Sequence, residues 1–407
     1  MALVVQKFGG TSVGDIDKIR HVASLARRTK EAGNDVVVIV SAMAGETNRL
    51  VDLCTGMMER PDPREYDVVV STGEQVTVGL LAMALKTMGI GAVSLLGSQI
   101  AIHTDEVYSK ARIRKIDSDR IMKNLKEGRV VIVPGFQGID IDGNITTLGR
   151  GGSDTSAVAV AAALEADACE IYTDVEGIYT TDPNMVVDAR KIDRISYDEM
   201  LEMASQGAKV LQIRSVEFAK KYNVPLHVRS TFTEAEGTWV TKEDKSMEKV
   251  VVSGVTCDKN EAKVSILRVP DKPGIAARIF GTIAEANINV DMIIQNISTD
   301  GYTDMTFTVP RNDLGQAMEI VREVGEEIGA KDVLSEDKVA KVAVIGTGMR
   351  SHSGVASKMF KALSDEGINI MMISTSEIKV SCVVERKYSE LAVRVLHEAF
   401  DLGTETV

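Results

Sequence analysis

The chain has 407 residues, enough for two or three domains with separate cores. A net charge of −12, with 44% hydrophobic and 26% charged residues, describes an ordinary globular protein and argues against a nucleic-acid or anionic-membrane surface. No signal-peptide pattern opens the sequence, and the longest apolar runs, over 36–40 and 157–164, fall far short of the ~20 residues of a membrane helix. Cys54, Cys169, Cys257 and Cys382 are scattered without C-x-x-C or histidine spacing. The expectation is a cytoplasmic protein with buried free thiols and no zinc site.

Leu3-Val4-Val5 leads through Lys7-Phe8-Gly9-Gly10-Thr11-Ser12 into an amphipathic segment over 15–29, which reads as strand, glycine turn and helix. Backbone N–H groups at such a turn face any anion placed there, and Lys7 adds a compact positive charge. The same hexapeptide also suits a plain strand-to-helix turn. It matches neither G-x-x-x-x-G-K-[ST] nor G-x-G-x-x-G. Residues 36–40 read as a strand buried on both faces, ending in Ser41-Ala42-Met43-Ala44-Gly45 with Thr47 just beyond. Residues 67–70 read as a third strand, ending in Ser71-Thr72-Gly73-Glu74 before an apolar helix over 76–88. Residues 130–133 read as a fourth, ending in Pro134-Gly135-Phe136. Repeated βα units predict an α/β domain with a mainly parallel sheet, whose ligands sit beyond the carboxyl ends of the strands. Lys7, Ser41, Glu74 and Gly135 are all expected at such ends.

Leu148-Gly149-Arg150-Gly151-Gly152-Ser153-Asp154-Thr155-Ser156 opens an alanine-rich helix, with Ser153 or Asp154 as the expected N-cap. Three glycines, an arginine and an aspartate exceed what a cap requires, and a guanidinium beside exposed amides suits a carboxylate. A strand over 168–173 precedes an irregular, turn-rich loop over 174–184. Its Tyr179 suits either a base-and-ribose pocket or a surface loop. A helix over 196–204 leads to Gly207-Ala208-Lys209, a second lysine near a small-residue turn, and the last strand of the domain is expected over 225–230. His227, within that strand, reads as a structural residue.

The segments KFGGTS, SAM, STGE, PGF, GRGGSDT, YTDVEGIYTTDP and GAKVLQ, in this order and spacing, resemble the aspartokinases of the amino-acid kinase family. The resemblance implies transfer of the γ-phosphoryl group of MgATP to the β-carboxylate of L-aspartate, the first step towards lysine, threonine and methionine. It implies Lys7 and Asp154 as catalytic residues, and Ser41, Thr47, Glu74, Arg150 and Ser153 as the aspartate site. Lys7, Gly9, Gly10, Thr11, Thr173, Asp174, Tyr179, Asp182 and Lys209 would form the ATP site. Magnesium is expected to arrive with ATP and to keep several waters, so no dedicated protein metal cage is expected. Many relatives carry arginine where this chain has Asn184, which leaves Arg190 or Lys191 as conceivable substitutes.

From 233 to 248 the sequence turns polar and charged and reads as a linker. Beyond it, Gly274-Ile275-Ala276 through Ile288-Asn289-Val290 recurs eighty residues later as Gly354-Val355-Ala356 through Ile368-Asn369-Ile370. Each copy predicts a ferredoxin-like βαββαβ unit and resembles the ACT domain, an amino-acid-binding regulatory module. The second copy lacks a last strand, and a spare strand over 250–257 can supply it. The expected domains are therefore 1–232 (catalytic), 258–339 (first ACT), and 249–257 with 340–407 (second ACT). Val344-Ile345-Gly346-Thr347-Gly348-Met349 lacks the third glycine of a dinucleotide fingerprint, and the repeat already accounts for it.

Effector-binding positions implied by the ACT resemblance are Asp271, Gly274, Ile275, Ala276, Asp291, Gln295 and Asn296 in the first copy. In the second they are Met349, Ser353, Val355, Asn369, Ile370, Ser374 and Ser376. Lysine and threonine are the implied effectors. ACT pairing implies a homodimer, or an α2β2 assembly whose β subunit starts internally at Met247. The rival readings are another amino-acid kinase of the glutamate type and a catalytically silent amino-acid sensor.

Overall fold

The computed structural model describes residues 1–208, 210–243, 251–297 and 300–403. Lys209 and Met247 lie outside the described residues. Two compact units emerge. One comprises Met1–Ile178, Lys191–Ala204 and Lys209–Met247, the other Tyr179–Arg190, Ser205–Ala208 and Glu248–Val407.

The first unit is built on an eight-stranded sheet. Its strands are β1 (Leu3–Phe8), β2 (Asp35–Val40), β3 (Ala92–Ser94), β4 (Val130–Pro134), β5 (Ala168–Thr173), β6 (Arg194–Ser196), β7 (Leu226–Ser230) and β8 (Thr238–Thr241). They lie in the order β6-β8-β7-β5-β1-β2-β4-β3. Every pairing given for this sheet is parallel except the β7–β8 ladder. β1 is central, with Lys7 level with Ile39 on one side and Ile171 on the other. Helix α1 (Ile16–Glu31) is capped by Asp15, whose side chain accepts from the Lys18 N–H. It packs its Ile19, Val22 and Ala26 on the sheet together with Val78, Leu81 and Leu85. All of β2 after Asp35 is buried, as a parallel strand covered on both faces requires.

Three sequence expectations change here. Residues 67–70 are helical, not a strand: α3 (Pro63–Val70) is followed at once by α4 (Thr72–Thr87). The cause is at the N-terminus, where Asp62 accepts from the Arg64 and Glu65 N–H groups and Pro63 takes the first helical position. A run of three valines could not override those signals. Together α3 and α4 are long and apolar enough to span a membrane by length and composition, although Asp67 and Glu74 within them are buried in this fold. The N-cap of the alanine-rich helix is Gly151 in a left-handed conformation, with Ser153 and Asp154 inside the first turn. Finally, the expected linker contains β8, an integral strand of the sheet.

The second unit is a six-stranded antiparallel sheet. β9 (Gly254–Pro270), β10 (Ile293–Ile297), β11 (Tyr302–Pro310), β12 (Asp332–Ile345), β13 (Met372–Thr375) and β14 (Lys379–Glu385) lie in the order β10-β11-β9-β12-β14-β13. The expected spare strand is present over its described part and is continuous with the first strand of the first repeat: in β9, Gly254–Asp258 pair with the end of β12, and later residues pair with its beginning and with β11. The register shifts on either side of Glu261, where one repeat passes into the other. At that seam Lys341, 2% exposed, sits 2.7 Å from Glu261 and also pairs with Asp291. Burial works against the ammonium charge, and the two carboxylates overcome it and raise its pKa.

Helices α9 (Ile275–Glu285) and α11 (Val355–Asp365) each start from a left-handed glycine, Gly274 and Gly354, both at φ +95°. The segment Tyr179–Arg190, expected in the catalytic domain, supplies Val186 to the core formed by Val255, Val344, Leu363 and Leu396. Thr180 bonds His397 at 2.9 Å within the same unit. Cys169 and Cys382 are buried as expected, while Cys54 and Cys257 are half-buried.

Candidate active site

The carboxyl ends of β1, β2 and β4 and the N-terminal turns of two helices bring the charged residues of the first unit together. Lys7 leaves the end of β1 with its Nζ 2.5 Å from Oδ1 of Asp154, and both side chains are nearly buried. Asp154 lies in the first turn of the alanine-rich helix (Gly152–Ala163), whose start carries the positive end of a helix dipole. A nearly buried ammonium beside a carboxylate at a helix start is a place where a phosphate can be neutralised.

Ser41 continues β2 and donates to Ser153 across 3.0 Å. Gly135, which follows β4, presses against the same helix start: a Cβ there would lie 2.6 Å from that of Ser153. Only glycine permits this approach. Gly10 meets the Ser41 turn similarly, since a Cβ on it would stand 3.0 Å from the Ala42 carbonyl oxygen.

Glu74 stands in the first turn of α4 rather than at a strand end, yet it reaches the same place. The Ala42 N–H donates to its Oε1 at 3.0 Å, while its Oε2 is buried without a protein partner. Burial pushes its pKa up to about 7, against the lowering effect of the Ala42 N–H. A buried carboxylate oxygen left open in this way calls for a cationic donor. Thr47 is half-buried near the start of the helix Glu46–Met57.

Arg150 is exposed, and its backbone is gripped. Its carbonyl accepts from Gln212 Nε2 at 2.8 Å. Arg214 donates to the Leu148 carbonyl at 2.7 Å and to that of Ala111 at 2.9 Å. Asp67, fully buried on α3, accepts from the N–H and hydroxyl of Ser109 and from the N–H and hydroxyl of Thr147. Sequence reading missed Asp67, Gln212 and Arg214. Only an acid inside the apolar run after Tyr66 hinted at the first.

Of the expected ATP residues, Gly9 and Gly10 adjoin Lys7, and Thr11 is exposed in the short 3-10 turn (Gly10–Val13) that follows. Thr173 ends β5, the strand beside β1, and bonds the exposed Asp174. Tyr179 and Asp182 belong to the other unit, where Asp182 accepts from the backbone and side chain of Asn184. Lys191 is held by Asp193 and the Gly237 carbonyl. His227 stacks on Trp239 and bonds the Glu236 carbonyl, a structural arrangement.

The effector positions of the second unit cluster in two ways. Asp271 donates its N–H to the Gly301 carbonyl just ahead of Gly274, Ile275 and Ala276 at the start of α9. Gln295 and Asn296 lie on the outer strand β10, and Asp291 precedes it in its ion pair with Lys341. In the second repeat Met349 lies in the 3-10 turn Thr347–Arg350, Ser353 precedes Gly354, and Val355 opens α11. Asn369 and Ile370 follow α11, Ser374 lies on the outer strand β13, and Ser376 bonds Lys379 just after it.

Residues 2–230 match the amino acid kinase family, and residues 264–326 and 342–400 each match the ACT domain. Over 404 residues the chain is 59% identical to the aspartokinase of Pseudomonas aeruginosa, covering 99% of this chain and 98% of that one. The chain belongs to the aspartokinase family. E. coli aspartokinase III, solved in complex with aspartate and ADP in its R-state, superimposes with a TM-score of 0.83 at 28% identity, over 98% of this chain and 99% of that one. The same relative in complex with lysine and aspartate, in its T-state, gives 0.75 at 28% identity over the same shares. As an aspartokinase the chain acts on ATP, and its strand-end cluster has the charges that such a transfer requires. A carboxylate acceptor is already an anionic nucleophile at neutral pH, so the site needs positive charge and donors, not a general base.

Proposed function

We propose a division of labour for the phosphorylation of aspartate in which the buried Lys7–Asp154 pair is the centre. Lys7 contacts the transferring γ-phosphoryl group, supported by amides of the Gly9–Gly10 turn, and Asp154 fixes the direction of its ammonium. Arg150 clamps the α-carboxylate of aspartate, and the open Oε2 of Glu74 takes its α-ammonium. Ser41, Thr47 and Ser153 add hydrogen bonds to the substrate. Thr11, Thr173 and Asp174 of the first unit make up the nucleotide side. The observation that carries this reading is the convergence of a free buried carboxylate oxygen, a buried ammonium and a helix N-terminus within one set of strand ends.

Magnesium fits as a companion of ATP. Asp154, paired with Lys7, is the carboxylate beside the proposed phosphate position. Phosphate oxygens and water would supply most of its ligands, and the ion would neutralise charge on the transferring group.

The two ACT repeats are the regulatory part, with lysine and threonine as effectors at the helix starts after Gly274 and Gly354 and along β10 and β13. The E. coli relative solved in complex with lysine supports the lysine half of that choice. Those two outer strands expose Ile293 and Ile373, which suits edge-to-edge pairing of copies, as a homodimer or as α2β2. The pathway served is the one leading to lysine, threonine and methionine, and the free cysteines suit the cytoplasm.

The test is ADP release with MgATP and L-aspartate, with and without lysine plus threonine, alongside Lys7→Ala. The expected result is aspartate-dependent turnover that Lys7→Ala abolishes and the effector pair suppresses. Turnover indifferent to both amino acids sinks the effector assignment and leaves the site roles standing. Full activity in Lys7→Ala overturns the site roles.

A further inference from the structure

Arg150 is the one predicted substrate residue whose side chain is exposed, so the precision of its placement has to come from its backbone. It stands between two left-handed glycines, Gly149 at φ +80° and Gly151 at φ +70°. Both are pressed from outside. A Cβ on Gly149 would lie 3.0 Å from the Ser109 carbonyl oxygen, and one on Gly151 would lie 2.7 Å from Gln212 Nε2. The position of Arg150 therefore depends on where Ser109 and Gln212 are held.

Ser109 is itself unusual. It has a Cβ, yet it adopts φ +64°, a conformation that a non-glycine residue keeps only when its surroundings impose it. What imposes it is Asp67. The carboxylate accepts from the Ser109 N–H at 2.9 Å and from its hydroxyl at 3.1 Å, then uses its remaining capacity on the Thr147 N–H and hydroxyl, both at 2.7 Å. One fully buried acid thus ties the residue that abuts Gly149 to the strand that leads into it. Arg214 repeats the device from the other side, joining the Leu148 and Ala111 carbonyls, which flank the same two points. A buried carboxyl group that accepts four hydrogen bonds, and a fork of guanidinium donors on two carbonyls, are rigid connections.

We propose that Asp67 and Arg214 are positioning residues for aspartate binding, acting through Arg150. The proposal rests on the reading of Arg150 as the clamp for the α-carboxylate. That carboxylate does not react, so its clamp holds ground state and transition state alike, and loosening it raises KM for aspartate while leaving kcat in place.

Steady-state kinetics of the full chain provide the test, using Asp67→Asn, Arg214→Gln and Arg150→Ala, with each of the first two also combined with the third. Asp67→Asn keeps the shape and turns an acceptor into a donor facing N–H groups. The expected result is a rise of about tenfold in KM for aspartate in either single variant, with kcat and KM for ATP changed by less than about twofold. Arg150→Ala raises KM for aspartate by about a hundredfold, and on that background neither second change adds more. An effect that persists undiminished without Arg150, an equal rise in KM for ATP, or unchanged kinetics in both single variants overturns the positioning role. If Arg150→Ala itself leaves KM for aspartate unchanged, the clamp reading fails first and the positioning role falls with it. Should Asp67→Asn not fold, Arg214→Gln carries the test alone, because it removes two bonds to carbonyls from a half-buried side chain.

Discussion

The two sheets of this chain carry their chemistry in opposite places. In the mainly parallel sheet, β1, β2 and β4 deliver Lys7, Ser41 and Gly135 to one rim, above an apolar cluster that includes Phe8, Val36, Val38 and Ile132. In the antiparallel sheet the strand ends are divided between two rims, and the buried polar cluster of Lys341, Glu261 and Asp291 sits in the middle, at the seam of two repeats. A parallel sheet gathers functional groups by topology, because every strand ends on the same side. A duplicated antiparallel sheet gathers them at helix starts and outer strands, and keeps its central charges for holding the halves together.

The sharpest way to break this contrast is at Lys7. Lys7→Ala removes the charge at the transferring phosphate and should lower kcat by about a thousandfold or more, while lysine binding to the regulatory repeats, measured by calorimetry, stays within experimental scatter. A large loss of lysine affinity would show that the rim and the repeats are not separate devices.

Next in size is the seam. Lys341→Met leaves Glu261 buried without its cation and should destabilise the regulatory repeats by about 3–5 kcal/mol. Hydrogen exchange should report this as lost protection in β9 and β12, with β1 and β2 retaining theirs.

Glu74 sharpens the comparison because function and stability oppose each other there. Its pKa of about 7 in the folded chain lies above the unfolded value of 4.5, so its contribution to stability is present below pH 4.5 and is lost as pH rises to about 7. Glu74→Gln should therefore stabilise the chain at pH 8, by an order-of-magnitude figure of about 2 kcal/mol. The same change should raise KM for aspartate at least about tenfold. In the unaltered chain KM for aspartate should rise as pH falls below about 7, and in Glu74→Gln that dependence should flatten. A pH profile identical in both would remove Glu74 from the ammonium site.

The smallest expected effect belongs to the effector sites. Asp271→Ala should weaken inhibition by about tenfold, within the 1–3 kcal/mol typical of allosteric coupling, and leave basal turnover unchanged. Unaltered inhibition would move the effector away from the α9 start.

Much of the rim was legible because each βα unit announces itself: an apolar run, a small-residue turn, an amphipathic helix. Lys7, Ser41 and Gly135 needed no more than that. Glu74 was expected at the rim and reaches it, but from a helix rather than a strand end, since Val68-Val69-Val70 fits a strand as well as a helix until Asp62-Pro63 is weighed. Asp67 and Arg214 were not legible, because an acid that holds Ser109 and an arginine that holds two carbonyls satisfy backbone groups, and backbone groups leave no trace in the residue pattern. Nor could the sequence say which core Val186 fills. A single valine in a turn-rich loop is compatible with any neighbour, and only the packed repeat shows where it belongs.

Glu261 and Lys341, the buried pair at the seam, are eighty residues apart, the period of the repeat, and so occupy the same place in the two copies. An ancestral pair of identical copies would have set like residue against like. Here the equivalents are opposite in sign, so two first repeats joined at this seam would bury acid against acid, and two second repeats ammonium against ammonium. The pairing makes the two repeats complementary halves within one polypeptide, with β10 and β13 left as the outer strands of the sheet.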